Sequence, residues 1–330
     1  MRCGPPPLVS IVITVYRRTD FLRQAVRSAL GQTYPNVEVV IAEDGGSDVA
    51  AAVVRELGDP RVRHRRCPVN VGEAGNRFGA YAEARGDFIA NLDDDDLLAP
   101  QMIERLVAPL LADPRVVVAF GDHHVGSADG TPDPAQTAAT ARRFGRDRLA
   151  PGAHAGLARL CLVDASVPFA CAAVFRRSVV DGVTDAAGAI SVDDLYLAYL
   201  VCRAGGLAHY VPERLATYRI HGAQESAVGR ERMARGALFC LDRCLADDRL
   251  AAVRPVLRRR WAGAASALAA EALCAGDAAA AATGYRRSLR ASPTIRAAAG
   301  LALSWLPAGV GRRAVAGYRR GAAAVRSVVS

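Results

Sequence analysis

The chain of 330 residues is 51% apolar, 6% aromatic and 23% charged, which excludes disorder, a collagen-like repeat and a disulfide scaffold and leaves room for two folded units. Its net charge of +9 is carried entirely by arginine, with no lysine, and suits phosphate-bearing or membrane-surface partners as readily as a compositional bias. No run approaches the ~18–20 unbroken apolar residues of a bilayer span, the amino end lacks a signal-peptide cleavage pattern, and the chain reads as cytoplasmic. The eight cysteines include no Cys-x-x-Cys pair and read as small, reduced hydrophobes.

Strand and helix signals alternate through the first half. "LVSIVITVY" is a β-rich run after three prolines, and "TDFLRQAVRSALGQT" places Phe21, Leu22, Ala25, Val26 and Ala29 on one helical face. Asp20 or Thr19 caps that helix and Gly31 ends it. "NVEVVIAEDGG" reads as a strand, "SDVAAAVVREL" as a helix and "RVRHRRC" as a short strand; "EAGNRFGAYAEARG" is helical and "DFIANL" is a buried strand entering four aspartates. The alternation predicts an α/β class, Rossmann-like, with a mostly parallel sheet flanked by helices. Ligands bind at the carboxyl ends of such strands, where Thr14–Tyr16, Glu43–Asp44 and Asp93–Asp96 all fall. Gly121–Pro151 is polar and reads as loops over the site. "VPFACAAVF" and "LAHYVPERLATYRIH" are strand-like on either side of a helix, "VDDLYLAYLVCRAGG". The expected division is an α/β unit over residues 1–225 and an alanine- and arginine-rich all-α region over 226–330.

Asp93 and Asp95 stand two apart, so on an extended backbone their carboxylates point to one side. Gathered carboxylates call for a cation, and oxygen ligands suit Mg²⁺ or Mn²⁺ shared with substrate phosphates. A solvated acidic turn is the plainer alternative. Together "VSIVITVYRR", "YPNVEVVIAEDGGSD", "NVGEAGNRFG", "ARGDFIANLDDDDLLAP", "VDDLYLAYLVCRAG" and "YRIHGAQES", in this order over roughly residues 8–225, resemble the family 2 glycosyltransferases, inverting enzymes of the GT-A fold that use nucleotide sugars.

The resemblance implies a role for each segment. Thr14, Tyr16 and Asp44 would contact the nucleoside, with uridine as its base, while Arg77 or Arg65 would face the base or diphosphate. Asp95 would ligate the metal. Asp93 or Asp94 would hold the ribose or a metal-bound water, so Asp93 counts with both donor and metal, and His221 lies near the metal and diphosphate. With the metal stabilising the leaving diphosphate, a single base suffices: Asp194, supported by Asp193, at the start of a helix that would favour its ionised form. The implied partners are a nucleotide-sugar donor and a hydroxyl-bearing acceptor, a glycan or a lipid-linked one, with no nucleic acid.

In the carboxyl-terminal region Ala281, Tyr285 and Pro293 match one tetratricopeptide-type hairpin. The tail mixes Trp305, Leu306 and Val310 with Arg312, Arg313, Arg319 and Arg320, a pattern suited either to an anionic membrane surface or to a solvated helix. Rival readings are a nucleotidyltransferase, which needs a lysine-bearing phosphate loop, and a silent nucleotide-sugar binder or scaffold acting through its helical tail. A dinucleotide oxidoreductase lacks its G-x-G-x-x-G after the first strand.

Overall fold

Alternate residues of the first apolar run, Val9, Ile11, Ile13 and Val15, are buried in one apolar cluster, and this run forms β1 (Val9–Val15) of the computed structural model. The structure describes residues 4–16, 20–46, 48–222 and 229–306. After β1 come α1 (Asp20–Leu30), β2 (Val37–Glu43), α2 (Val49–Leu57), β3 (Val62–Arg66), α3 (Gly72–Glu83), β4 (Phe88–Asp93) and β5 (Leu97–Leu98). They are followed by α4 (Met102–Ala112), β6 (Val116–Gly126), α5 (Pro134–Arg143), β7 (Gly152–His154), β8 (Ala173–Arg176), α6 (Asp193–Ala204) and β9 (Leu207–Arg219). The helices α7 (Arg230–Ala246), α8 (Arg254–Ala275), α9 (Ala278–Ala291) and α10 (Ile295–Ser304) complete the described chain.

The sheet runs β3-β2-β1-β4-β8-β6-β9-β5, with β7 paired to β9. All seven residues of β2 are buried, as in a strand covered on both faces. Leu22, Ala25, Val26 and Ala29 of α1 join the cluster on one face together with Ile103, Leu106 and Leu110 of α4. Each of the larger side chains among these, Leu22, Val26, Ile103, Leu106 and Leu110, stabilises the fold by about 1.5–3 kcal/mol when fully buried.

The expected α/β sheet flanked by helices is found, with detail that the sequence does not give, and one expectation is corrected. The sheet is mixed: β3, β2, β1 and β4 are parallel, as are β6 and β9, but β8 is antiparallel to both β4 and β6. Since β6 ends at the same sheet edge as β4 and β8 starts there, residues 127–172 connect the two strands at that edge. Nor is Gly121–Pro151 a run of loops. β6 extends through Gly126, and Pro134 opens a helix whose cap, Asp133, accepts the N–H groups of Ala135 and Gln136 at 2.9 Å each. Only Thr137 and Ala141 of that helix are buried, too few to give an amphipathic signal.

The chain divides into two compact units: Met1–Gly188 with Val192–Ser226, and Ala189–Ser191 with Ala227–Ser330. In the second, α8 and α9 form a hairpin around Ala269, Leu273, Ala281 and Tyr285. Gly300 on α10 faces the Tyr285 ring so closely that any Cβ would collide with it. No helix of the described residues is long and apolar enough to cross a membrane. Of the tail, residues 307–330 lie outside the described residues, including Val310 and the four arginines named above.

Candidate active site

Strand register brings together the residues expected on the donor side. Thr14 pairs with Asp93 and Val15 with Glu43, so the ends of β1, β2 and β4 lie side by side. Thr14 and Tyr16 are half-buried there. Asp44 is buried, and its two oxygens accept the backbone N–H groups of Val71 and Gly72 at 2.8 and 2.9 Å, so it also anchors the start of α3.

Asp93 ends β4, and the three aspartates after it do not continue the extended strand. The Asp96 N–H donates to the Asp93 carbonyl at 3.1 Å, closing a turn. That turn, not the two-residue spacing, gathers ligand atoms of Asp93, Asp95 and Asp96 within 4.8 Å of one another, while Asp94, also buried, stands outside the triad. Sequence reasoning gave Asp96 no role. It is fully buried, one oxygen accepts the Arg219 N–H at 2.9 Å, and Oδ2 has no hydrogen-bond partner. Burial, reinforced by Asp93, pushes its carboxyl well above the ordinary range, and burial likewise raises Asp93.

The end of β9 braces this turn. Arg219 donates through Nε to the Asp95 carbonyl and through Nη1 to Gln24 at 2.6 Å, with its guanidinium 4.6 Å above the Phe21 ring. His221 lies with Nε2 3.1 Å from Asp95 Oδ2 and stacks on Phe21 at 4.5 Å. Arg219 stands two residues before His221, and no local pattern in the sequence marks its role. Three converging carboxylates, one with an orphaned buried oxygen, and an imidazole beside them fit a hard divalent cation.

Arg77 and Arg65, expected to face the donor, are both engaged by protein groups. Arg77 is 2% exposed, its Nη2 donating to Asp93 Oδ1 at 2.7 Å and lying 3.3 Å from Glu73 Oε1, its Nε 2.5 Å from Asp193 Oδ2. Arg65 is taken up by Glu83 at 2.8 Å, Cys67 at 3.0 Å and Asn76 at 3.1 Å. Protein carboxylates and polar atoms thus contact each guanidinium, while Nη1 of Arg77 has no hydrogen-bond partner.

Asp193 and Asp194 open α6, the former buried, the latter exposed. The expected stabilisation of ionised Asp194 by the helix end is overridden. Crowding by protein atoms and then repulsion from Asp193 raise its carboxyl to about 7, and its open surface lets water temper the first cause but not the direction. Glu73, half-open to solvent and unremarked in the sequence, is raised to about 8, chiefly by Asp193 and then by burial. One buried guanidinium therefore faces an excess of carboxylates.

Comparison with known proteins agrees with this architecture. S. aureus TarS, residues 1–349, in complex with UDP-GlcNAc superposes with a TM-score of 0.63 at 14% identity, covering 95% of this chain and 92% of that one. The mannosyltransferase PcManGT from Pyrobaculum calidifontis, in complex with GDP-Man and Mn²⁺, gives 0.56 at 19% identity, covering 94% and 84%. Both share the GT-A fold. In sequence, the succinoglycan biosynthesis protein ExoO of Rhizobium meliloti (strain 1021) is 38% identical over 101 residues, 31% of this chain and 29% of that protein. The chain spans half or less of the length of the first curated relatives it matches. The family model described as glycosyl transferase family 2 matches residues 10–184, more than half of the chain, and the chain belongs to that family.

Proposed function

We propose that this protein is a metal-dependent, inverting glycosyltransferase that moves a sugar from a nucleotide donor, a UDP-sugar by its resemblance, to an acceptor hydroxyl in cell-surface polysaccharide or glycoconjugate synthesis. The observation that carries the reading is the Asp93, Asp95 and Asp96 triad with its unpartnered buried oxygen, set at the strand ends. Asp95 and Asp93 hold the Mg²⁺ or Mn²⁺, with His221 beside Asp95 and Asp96 closing the set. When bound, the cation supplies positive charge to the departing nucleoside diphosphate.

The chain's own residues do the rest. Thr14 and Tyr16 line the nucleoside, Asp44 accepts from the base while holding α3, and Asp94 takes the ribose. Asp194, exposed at the start of α6, accepts the proton of the acceptor hydroxyl; Asp193 fixes it in place. A carboxyl that titrates near neutrality suits a base at physiological pH. Attack from the face opposite the leaving group inverts the anomeric carbon.

Residues 127–172, at the same sheet edge, are the natural source of acceptor contacts. Residues 227–330 hold eighteen arginines against six acidic residues, net +12, which leaves −3 on the remainder of the +9 chain. Such asymmetry supports contact of the helical region with an anionic membrane surface, where a lipid-linked acceptor would be met.

The test is a panel of nucleotide sugars assayed with and without Mn²⁺. Donor turnover that requires the cation and is abolished by Asp95→Ala and Asp194→Ala supports the reading; turnover indifferent to both substitutions overturns it. Failure of the protein to co-sediment with anionic liposomes overturns the membrane contact alone.

A further inference from the structure

Arg77 ties together three elements that chemistry at this site needs in register. It rises from α3, its Nη2 holds Asp93 at the end of β4 at 2.7 Å, and its Nε meets Asp193 in the first turn of α6 at 2.5 Å. Nε and Nη1 are buried without a hydrogen-bond partner, so the Asp193 contact is a close ion pair with poor hydrogen-bond alignment. The α3–α6 seam beside it is apolar, with Phe78 packed on Tyr196 at 5.4 Å and on Tyr81 at 5.0 Å. Aromatic packing fixes the spacing of the two helices but not the rotation of the α6 first turn. Arg77 is the group that does so, because a planar guanidinium constrains both carboxylates at once.

We propose that Arg77 is a positioning residue that sets the base-bearing turn of α6 against the acidic end of β4 and makes no contact with the donor. The proposal rests on the transferase reading above for its catalytic consequence, not for its structural one. A misplacement of about 1 Å can cost on the order of 10²-fold in rate. Loss of Arg77 therefore lowers kcat by far more than it weakens Mn²⁺-dependent nucleotide binding through Asp93, the reverse of what a diphosphate contact would give.

The experiment uses the full chain and the variants Arg77→Lys, Arg77→Met and the near-isosteric Asp193→Asn. Amide exchange is read at the first turn of α6 and the end of β4, and UDP affinity and kcat are read with Mn²⁺ present. The expected result is exchange at least about tenfold faster in that turn with β1 and β2 unchanged, kcat down about 10²-fold, and UDP affinity within about threefold for Asp193→Asn, which keeps the Arg77–Asp93 pair, and down by no more than about tenfold for the Arg77 variants. Arg77→Met combined with Asp193→Asn should be no worse than the poorer single variant, since both break one linkage. Weakened UDP binding with kcat held, or unchanged exchange with unchanged kcat, overturns the proposal. Should the Arg77 variants fail to fold, Asp193→Asn decides by the same readouts. If the wild type turns over no donor, the transferase reading falls, and exchange still decides whether Arg77 orders the turn.

Discussion

The two strands that flank β1 in the sheet, β2 and β4, lead into buried acids, and the two ends are built differently. At the end of β2, Glu43 is fully buried and satisfied: one oxygen accepts the N–H groups of Val49 and Ala50 at 2.9 and 3.4 Å, the other meets His64 at 2.9 Å. Past the end of β4, Asp96 is equally buried, accepts the Arg219 N–H with one oxygen, keeps the other unpartnered, and sits beside the carboxylates of Asp93 and Asp95. The first arrangement closes a helix start; the second is unfavourable on its own and becomes favourable when a cation enters. Burial alone thus does not mark a functional acid. What marks it is the imbalance of partners.

Substitution breaks the comparison most sharply. Asp95→Ala should lower kcat/KM roughly 10³-fold and Asp194→Asn roughly 10²–10⁴-fold, with circular dichroism unchanged. Glu43→Gln should instead cost about 1–3 kcal/mol of stability and leave turnover per folded molecule within about threefold. Equal losses of activity at both strand ends would erase the distinction.

Cation dependence of stability is the next largest effect. Mn²⁺ should raise the melting temperature of the wild type and of Glu43→Gln alike, because a ligand that binds only the folded state stabilises it. Asp96→Asn should lose most of that rise and, lacking one buried charge, melt no lower than wild type without metal. A rise preserved in Asp96→Asn would remove Asp96 from the set.

The smallest effect is in pH. Folding raises Asp194 to about 7 and Glu73 to about 8, so both bind protons more tightly folded than unfolded. Their contribution is complete below the ordinary carboxyl pKa of about 4 and is lost as pH rises through 7 and 8, so the metal-free protein should become less stable over that window. Glu73→Gln removes part of the loss and should raise the melting temperature near pH 9 by roughly 2–4 °C. A variant that melts lower there, or that matches the wild type, contradicts the charge excess assigned to this cluster.

Much of this was legible in the residues themselves. The amino-terminal β–α alternation was clear because β1, β2 and β4 are continuous apolar runs and α1 carries a full apolar stripe, a strong local signal. The acidic run and the paired aspartates opening α6 were legible because like charges in sequence are conspicuous. Other features depend on contacts between distant residues. Arg219 reaches the acidic turn across more than a hundred positions, and Arg77 is committed by Asp193, far along the chain, so neither role shows in a local pattern. Asp96 was overlooked because a turn, invisible to the two-residue rule, sets which carboxylates converge. The antiparallel β8 follows from where a long connection returns to the sheet, and no periodicity encodes that.

The most direct measurement is calorimetric titration of UDP into the full chain with and without Mn²⁺, for the wild type and Asp95→Ala. The account predicts tight UDP binding by the wild type only when Mn²⁺ is present, and none by Asp95→Ala in either condition. UDP binding of equal strength with and without the cation, unaffected by Asp95→Ala, would contradict it.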